Sequence, residues 1–196
     1  MLQNTMFTPK SSWSVPDVFP QFSETETVAI DLETYDPHLM TCGPGWATGR
    51  GHVVGIGVAV DDWQGYFPIR HEGGGNLDET VVIRWLSTLL SSEKREVIFH
   101  NALYDVGWLR REGIIVKGKI LDTIVAAPLI DENRFSYSLD NLGSHYCDEK
   151  KDESLLQDAA LAYGINPKSE MYKLPAKYVG PYGEQDAALT LKLWHK

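Results

Sequence analysis

Cysteine is scarce in this chain: Cys42 and Cys147 are the only two, and they share no metal-binding or redox spacing. Free thiols in a reducing compartment are the expectation. No apolar run is long enough to span a bilayer, and the first residues have no signal-peptide layout, so a cytoplasmic protein is expected. Positive charge is also short, with 18 Lys and Arg against 27 Asp and Glu, for a net charge of −9. That deficit argues against broad duplex binding through phosphate neutralisation. It leaves open chemistry on nucleic acids, because bound divalent cations reverse the local field at an acidic site. There is no internal repeat, and Gly73, Gly74 and Gly75 lack the spacing of a phosphate-binding loop. His52, His71, His100 and His145 have no ligand spacing either and read as structural or surface residues.

What is present is an ordinary globular composition over 196 residues, 43% hydrophobic and 23% charged. That is enough chain for one domain with its own core. Residues 1–26 read as an arm packed on that domain through Trp13, Val15, Val18, Phe19 and Phe22, with Pro16 and Pro20 breaking any helix. Residues 27–196 would be the domain itself. Strands are expected at Val28 to Glu33, His52 to Val60, Gly65 to Ile69, Val97 to Phe99 and Lys119 to Leu121. Asp61 and Asp62 fit a hairpin turn, and Gly55 and Gly57 share a face that permits close packing. Tyr35 to Gly51, rich in glycine and proline, reads as a long loop.

Apolar residues at helical spacing predict helices from Asp78 to Leu90 and from Asn101 to Glu112, the second stopped by Gly113. Further helices are expected at Thr123 to Ile130, Ser138 to Tyr146, Glu153 to Tyr163, and from Pro181 onwards. This order predicts an α/β fold, a mixed five-stranded sheet flanked by helices.

The acids carry the chemistry. In Val28-Ala29-Ile30-Asp31-Leu32-Glu33-Thr34 the strand period puts Asp31 and Glu33 on one face of a largely apolar strand. Two such carboxylates repel each other unless a cation or a proton lies between them. Asn101 and Asp105, four apart, share a helix face, and so do Tyr182 and Asp186. Taken alone, Asn101 is a helix cap, Asp105 and Asp122 are helix N-terminal acids, and Tyr182 with Asp186 is a local hydrogen bond. Tyr104 and Trp108 lie one turn apart, with core packing the better reading of Trp108. Lys168, Lys173 and Lys177 read as a solvated connector, with contact to a nucleic-acid backbone as the alternative.

In chain order, however, Asp-x-Glu, Asn-x-x-x-Asp and Tyr-x-x-x-Asp resemble the three motifs of DEDDy-type 3′→5′ exonucleases, which have a ribonuclease H-like (DnaQ-like) fold. Pro181 stands where the histidine variant of that group would need its histidine. His100-Asn101, Ser138-Leu139-Asp140-Asn141-Leu142 and Tyr182-Gly183-Glu184-Gln185-Asp186-Ala187 are most similar to proofreading domains of phage-type family A DNA polymerases.

The resemblance implies two divalent cations, Mg²⁺ or Mn²⁺, held by Asp31, Glu33, Asp105 and Asp186, with Asp31 shared between them. Tyr182 would orient the attacking water, and Thr34 and Asn101 would face the substrate. The implied reaction is hydrolysis of single-stranded or frayed DNA 3′ ends to nucleoside 5′-monophosphates, with a polymerase domain in the same full-length chain and a phage or bacterial replication context. The alternatives are an RNase D-like 3′→5′ RNA exonuclease, a stand-alone nuclease, and an inactive exonuclease-like scaffold.

Overall fold

Val28–Tyr35 is the central strand, β1, of a five-stranded sheet ordered β3-β2-β1-β4-β5 in this computed structural model, which describes residues 8–196. On one side β1 pairs antiparallel with β2 (His52–Val60), and β2 pairs antiparallel with β3 (Trp63–Pro68). Their tight connection at Asp61 and Asp62 is the expected hairpin, with Asp61 left-handed at φ 46°. On the other side β1 pairs parallel with β4 (Glu96–Phe99), and β4 with β5 (Lys119–Asp122). The mixed sheet is the one expected from the sequence.

The two faces of β1 look at different layers. Val28, Ile30 and Leu32 join the large core built with α3 (Glu79–Leu89) and α4 (Ala102–Arg111), where Val82, Leu86, Trp108 and Leu109 are buried. Ala29 packs on the opposite face with Ala187 and Leu191 of α8 (Ala176–Trp194). Asp31 and Glu33 share the parity of Ala29 and therefore face α8. A register shift between Glu33 and Thr34 interrupts the β1–β2 ladder just beyond the acids. Such bulges re-aim the side chains that follow them.

The connections depart from expectation in three places. The predicted loop from Tyr35 to Gly51 contains two single-turn helices, α1 (Leu39–Cys42) and α2 (Gly45–Thr48). After α5 (Thr123–Ile130), the helix expected from Ser138 is only one turn, α6 (Leu139–Leu142). It widens into a five-residue π turn at Gly143–Cys147 before α7 (Ser154–Tyr163). The third departure is α8, which begins at Ala176, so Pro181 lies inside it and does not open it. Pro181 has no N–H to give to the carbonyl of Lys177, four residues back. The Ser11 hydroxyl donates to that carbonyl instead, at 2.8 Å. The missing backbone bond is thus replaced from outside the helix.

Of the arm expected at residues 1–26, residues 1–7 lie outside the described part. Beyond them, Trp13 meets Tyr66, Phe19 meets Phe67 and Trp85, and Phe22 meets Trp63. The Trp85 indole donates to the Pro20 carbonyl, and the buried Arg95 guanidinium donates to the Ser23 and Glu26 carbonyls. No helix among the described residues is long and apolar enough to cross a membrane.

Candidate active site

Two elements with different periods meet here. From β1, Asp31 and Glu33 project toward α8. From α8, Asp186 projects back, with Tyr182 one turn before it. Oxygen atoms of Asp31, Glu33 and Asp186 lie within 4.8 Å of one another. α8 can approach this closely because the β2 residue paired with Asp31 is Gly57. A Cβ on Gly57 would lie 2.3 Å from the Gly183 carbonyl oxygen, and one on Gly183 would lie 2.5 Å from the Tyr66 ring. The two glycines therefore set the distance between the strand that carries two acids and the helix that carries the third.

Asp105 enters from the other layer, in the first turn of α4, and is buried. The β1–β4 ladder pairs only Val28 with Val97 and Ala29 with Ile98. Past that point the strand edge is open, and the Leu32 N–H donates to Asp105 Oδ1 at 3.3 Å. Asp105 therefore satisfies a strand amide beside the acids.

Its expected partner Asn101 does not cap α4: it is left-handed, φ 80°, and its side chain bonds no helix N–H. Asp122 takes that role, accepting from the N–H groups of Asn101 and Ala102 at one helix start and of Ile124 at another. The left-handed turn leaves the Asn101 side chain exposed. Thr34 lies next to Glu33, its hydroxyl 2.9 Å from that of Tyr104, which also donates to Asp36. Neither Asn101 nor Thr34 belongs to the carboxylate cluster.

The cluster is electrostatically loaded. Burial pushes the Asp31 carboxyl up to about 7, the Asp186 charge adds to the shift, and the Lys151 ammonium opposes it. Burial also lifts Glu33 and Asp105 well above the usual carboxylate range, with the Asp31 charge adding in both. Asp186 is raised by burial and held back by Lys151. Burial, then the surrounding carboxylates, push the Tyr182 hydroxyl upward, so it remains a proton donor at neutral pH.

Lys151 is a residue of this cluster that the sequence did not single out. Its ammonium donates to Asp186 Oδ2 at 2.7 Å and to the Tyr182 hydroxyl at 3.1 Å. In sequence it belongs to the charged run Glu149-Lys150-Lys151-Asp152-Glu153, the signature of a solvated loop. Two lysines of the expected connector lie elsewhere: Lys173 pairs with Glu170, and Lys177 covers the Tyr178 ring. His71 is structural as expected, buried, held near the neutral form by a pKa lowered to about 4, and bonded to Tyr66 and the Leu174 carbonyl.

Does this donor set fit a metal ion? Lys151 engages one oxygen of Asp186, while the other, Oδ1, is buried with no hydrogen-bond partner among the described residues. An oxygen-only, multiply anionic set with an unmet acceptor suits a hard divalent cation. The carboxyls raised by burial hold protons that the unfolded chain would release, so metal-free stability falls as pH rises from about 4 to about 7, the window set by Asp31. A divalent cation relieves that repulsion. We expect added Mg²⁺ to raise the melting temperature by about 5 °C more at pH 8 than at pH 5.5. Equal shifts at the two pH values would contradict the assigned electrostatics.

Comparison with known proteins identifies the family. A family model described as a 3′-5′ exonuclease matches residues 8–196. A DNA-directed DNA polymerase of Pseudomonas phage M6 is 40% identical over 201 residues, covering 98% of this chain and 30% of that protein. DNA polymerase DpoZ of Salmonella phage PMBT28 is 27% identical over 184 residues, 90% of this chain and 27% of its own length. The chain therefore spans less than a third of these relatives. Among solved structures, Brucella melitensis NrnC with bound Mg²⁺ has the same fold, at a TM-score of 0.56 and 17% identity over 87% of this chain and 71% of that one. The ordered acidic motifs, the sheet that assembles them and the near-complete family match lead to one conclusion: the chain belongs to the family of 3′-5′ exonuclease domains.

Proposed function

We propose that this domain is a metal-dependent 3′→5′ exonuclease that removes nucleoside 5′-monophosphates from single-stranded or frayed DNA 3′ ends, as the proofreading part of a DNA polymerase. The observation that carries the reading is the convergence of Asp31, Glu33 and Asp186 within 4.8 Å, with one Asp186 oxygen unpartnered among the described residues. The DNA polymerase relatives favour DNA as the substrate and a phage or bacterial replication context.

Asp31, Glu33 and Asp186 would hold one Mg²⁺ or Mn²⁺, and Asp31 with Asp105 a second. Divalent ions in such a cradle lower the pKa of attacking water and offset the charge that builds on the phosphate. Tyr182, kept protonated, donates through its hydroxyl and orients the water, as in the DEDDy group. Thr34, near the end of β1, and Asn101, just before α4, would contact the terminal nucleotide. Water oxygen would add to phosphorus as one of its protons passes to solvent, the bond to the 3′ oxygen would break, and that oxygen would take up a proton from solvent. No protein nucleophile is consumed.

The substrate assignment is tested with matched 5′-labelled single strands of DNA and RNA in Mg²⁺. We expect DNA to shorten stepwise from its 3′ end at least about tenfold faster than RNA, a difference of about 1.4 kcal/mol in transition-state free energy. Faster loss of RNA would overturn the DNA reading in favour of an RNA exonuclease. Internal cuts would overturn the exonuclease reading.

A further inference from the structure

A buried lysine is costly unless its charge is met. The Lys151 side chain is only 10% exposed, and it enters the carboxylate cluster from the loop between Cys147 and Ser154. There it meets Asp186 Oδ2 at 2.7 Å and the Tyr182 hydroxyl at 3.1 Å, and lies 4.6 Å from the centre of the Tyr182 ring. These contacts use the helix face that the proposed function assigns to metal and water.

The placement is built into the loop. The Gln185 side chain accepts from the Asp152 N–H at 2.9 Å and donates to the Lys150 carbonyl at 3.4 Å, gripping the backbone on both sides of Lys151. Lys192 on the same helix pairs with Glu149. α8 thus fixes both ends of the segment and aims the intervening side chain at Asp186. The four-carbon stem of lysine lets its ammonium move while the backbone stays pinned.

We propose that Lys151 is an internal cation that occupies Asp186 and Tyr182 in the metal-free domain and is displaced from Asp186 when a divalent ion binds. It holds the acids of β1 and α8 together while no ion is present. It also sets a threshold on metal affinity, because an ammonium seated on Asp186 Oδ2 repels a divalent ion at the neighbouring Oδ1 until it leaves. This proposal rests on the metal site assigned above, and its test separates the two ideas.

Mn²⁺ binding is measured by isothermal titration calorimetry on the wild-type chain, on Lys151→Met and on Lys150→Met. Lys150 is exposed and carries the same charge one residue away. If the ammonium occupies Asp186 in about nine molecules of ten, its removal tightens Mn²⁺ binding on the order of tenfold. The Lys150→Met change controls for long-range charge and should stay within about twofold of wild type. We also expect the metal-free Lys151→Met domain to melt at lower temperature than wild type, with the gap closing when Mn²⁺ saturates both. Mn²⁺ affinity that is unchanged or weaker in Lys151→Met, or equally tightened in Lys150→Met, overturns the proposal while leaving the metal site intact. Absence of Mn²⁺ binding by all three proteins overturns the metal site and the proposal together.

Discussion

Asp31→Ala is expected to reduce metal-dependent release of nucleotides from a DNA 3′ end by about 10⁴-fold, since groups that act as a unit lose nearly all their effect when one is removed. Asp31 is the acid on which the others converge. It shares a strand face with Glu33, meets Asp186 across the gap to α8, and its charge raises the Asp105 carboxyl. The fold should survive, because the substitution removes a carboxyl already disfavoured in its ionised form by burial and by Asp186. Its metal-free melting temperature should therefore equal or exceed that of wild type at pH 8. Asp105→Ala should also stop the reaction, but it strips the Leu32 N–H of its acceptor and confounds catalysis with strand integrity. Release rates within tenfold of wild type in a folded Asp31→Ala protein would show that the cluster is not catalytic.

Gly57→Val should do the opposite, wrecking the site without touching an acid. A Cβ at this position would lie 2.3 Å from the Gly183 carbonyl oxygen, and the obstacle is helix backbone, which cannot rotate away. Moving α8 to make room drags Tyr182 and Asp186, which flank Gly183, away from Asp31 and Glu33. The loss of stability should reach at least about 3 kcal/mol, the upper end of what overpacking a core typically costs. Because the valine variant is expected to fold poorly, Gly57→Ala gives the readable measurement, with a melting temperature lowered by about 5–10 °C and weaker Mg²⁺ binding. A melting temperature within about 2 °C of wild type together with unchanged nuclease rate would contradict the close-approach account.

These two sites also show where the sequence was readable. The period of two placed Asp31 with Glu33, and the period of 3.6 placed Tyr182 with Asp186, because both rules concern neighbours on one element. The apolar residues around them showed that each element is buried, and the paired glycines of β2 signalled close packing before any partner was known. What stayed hidden depends on segments far apart in sequence. The Ser11 hydroxyl that serves the Lys177 carbonyl is separated from it by nearly the whole domain, so Pro181 looked like a helix start. Asp122 caps two helices at once, which no local pattern announces, and Asn101 was given part of its work. Lys151 was illegible for a physical reason. A lysine in a run of mixed charges is solvated by default, and it takes distant holds on its segment, the Gln185 clamp and the Lys192–Glu149 pair, to turn it inward.

The central claim is that the acids of β1, α4 and α8 form a cradle for divalent ions. Anomalous diffraction at the manganese edge from a Mn²⁺-soaked crystal of this domain addresses it most directly. The account predicts two peaks among Asp31, Glu33, Asp105 and Asp186, one of them beside Asp186 Oδ1, with the Lys151 ammonium withdrawn from that carboxylate. A well-ordered map with no peak at these residues, and with Lys151 still seated on Asp186 in saturating Mn²⁺, would contradict it.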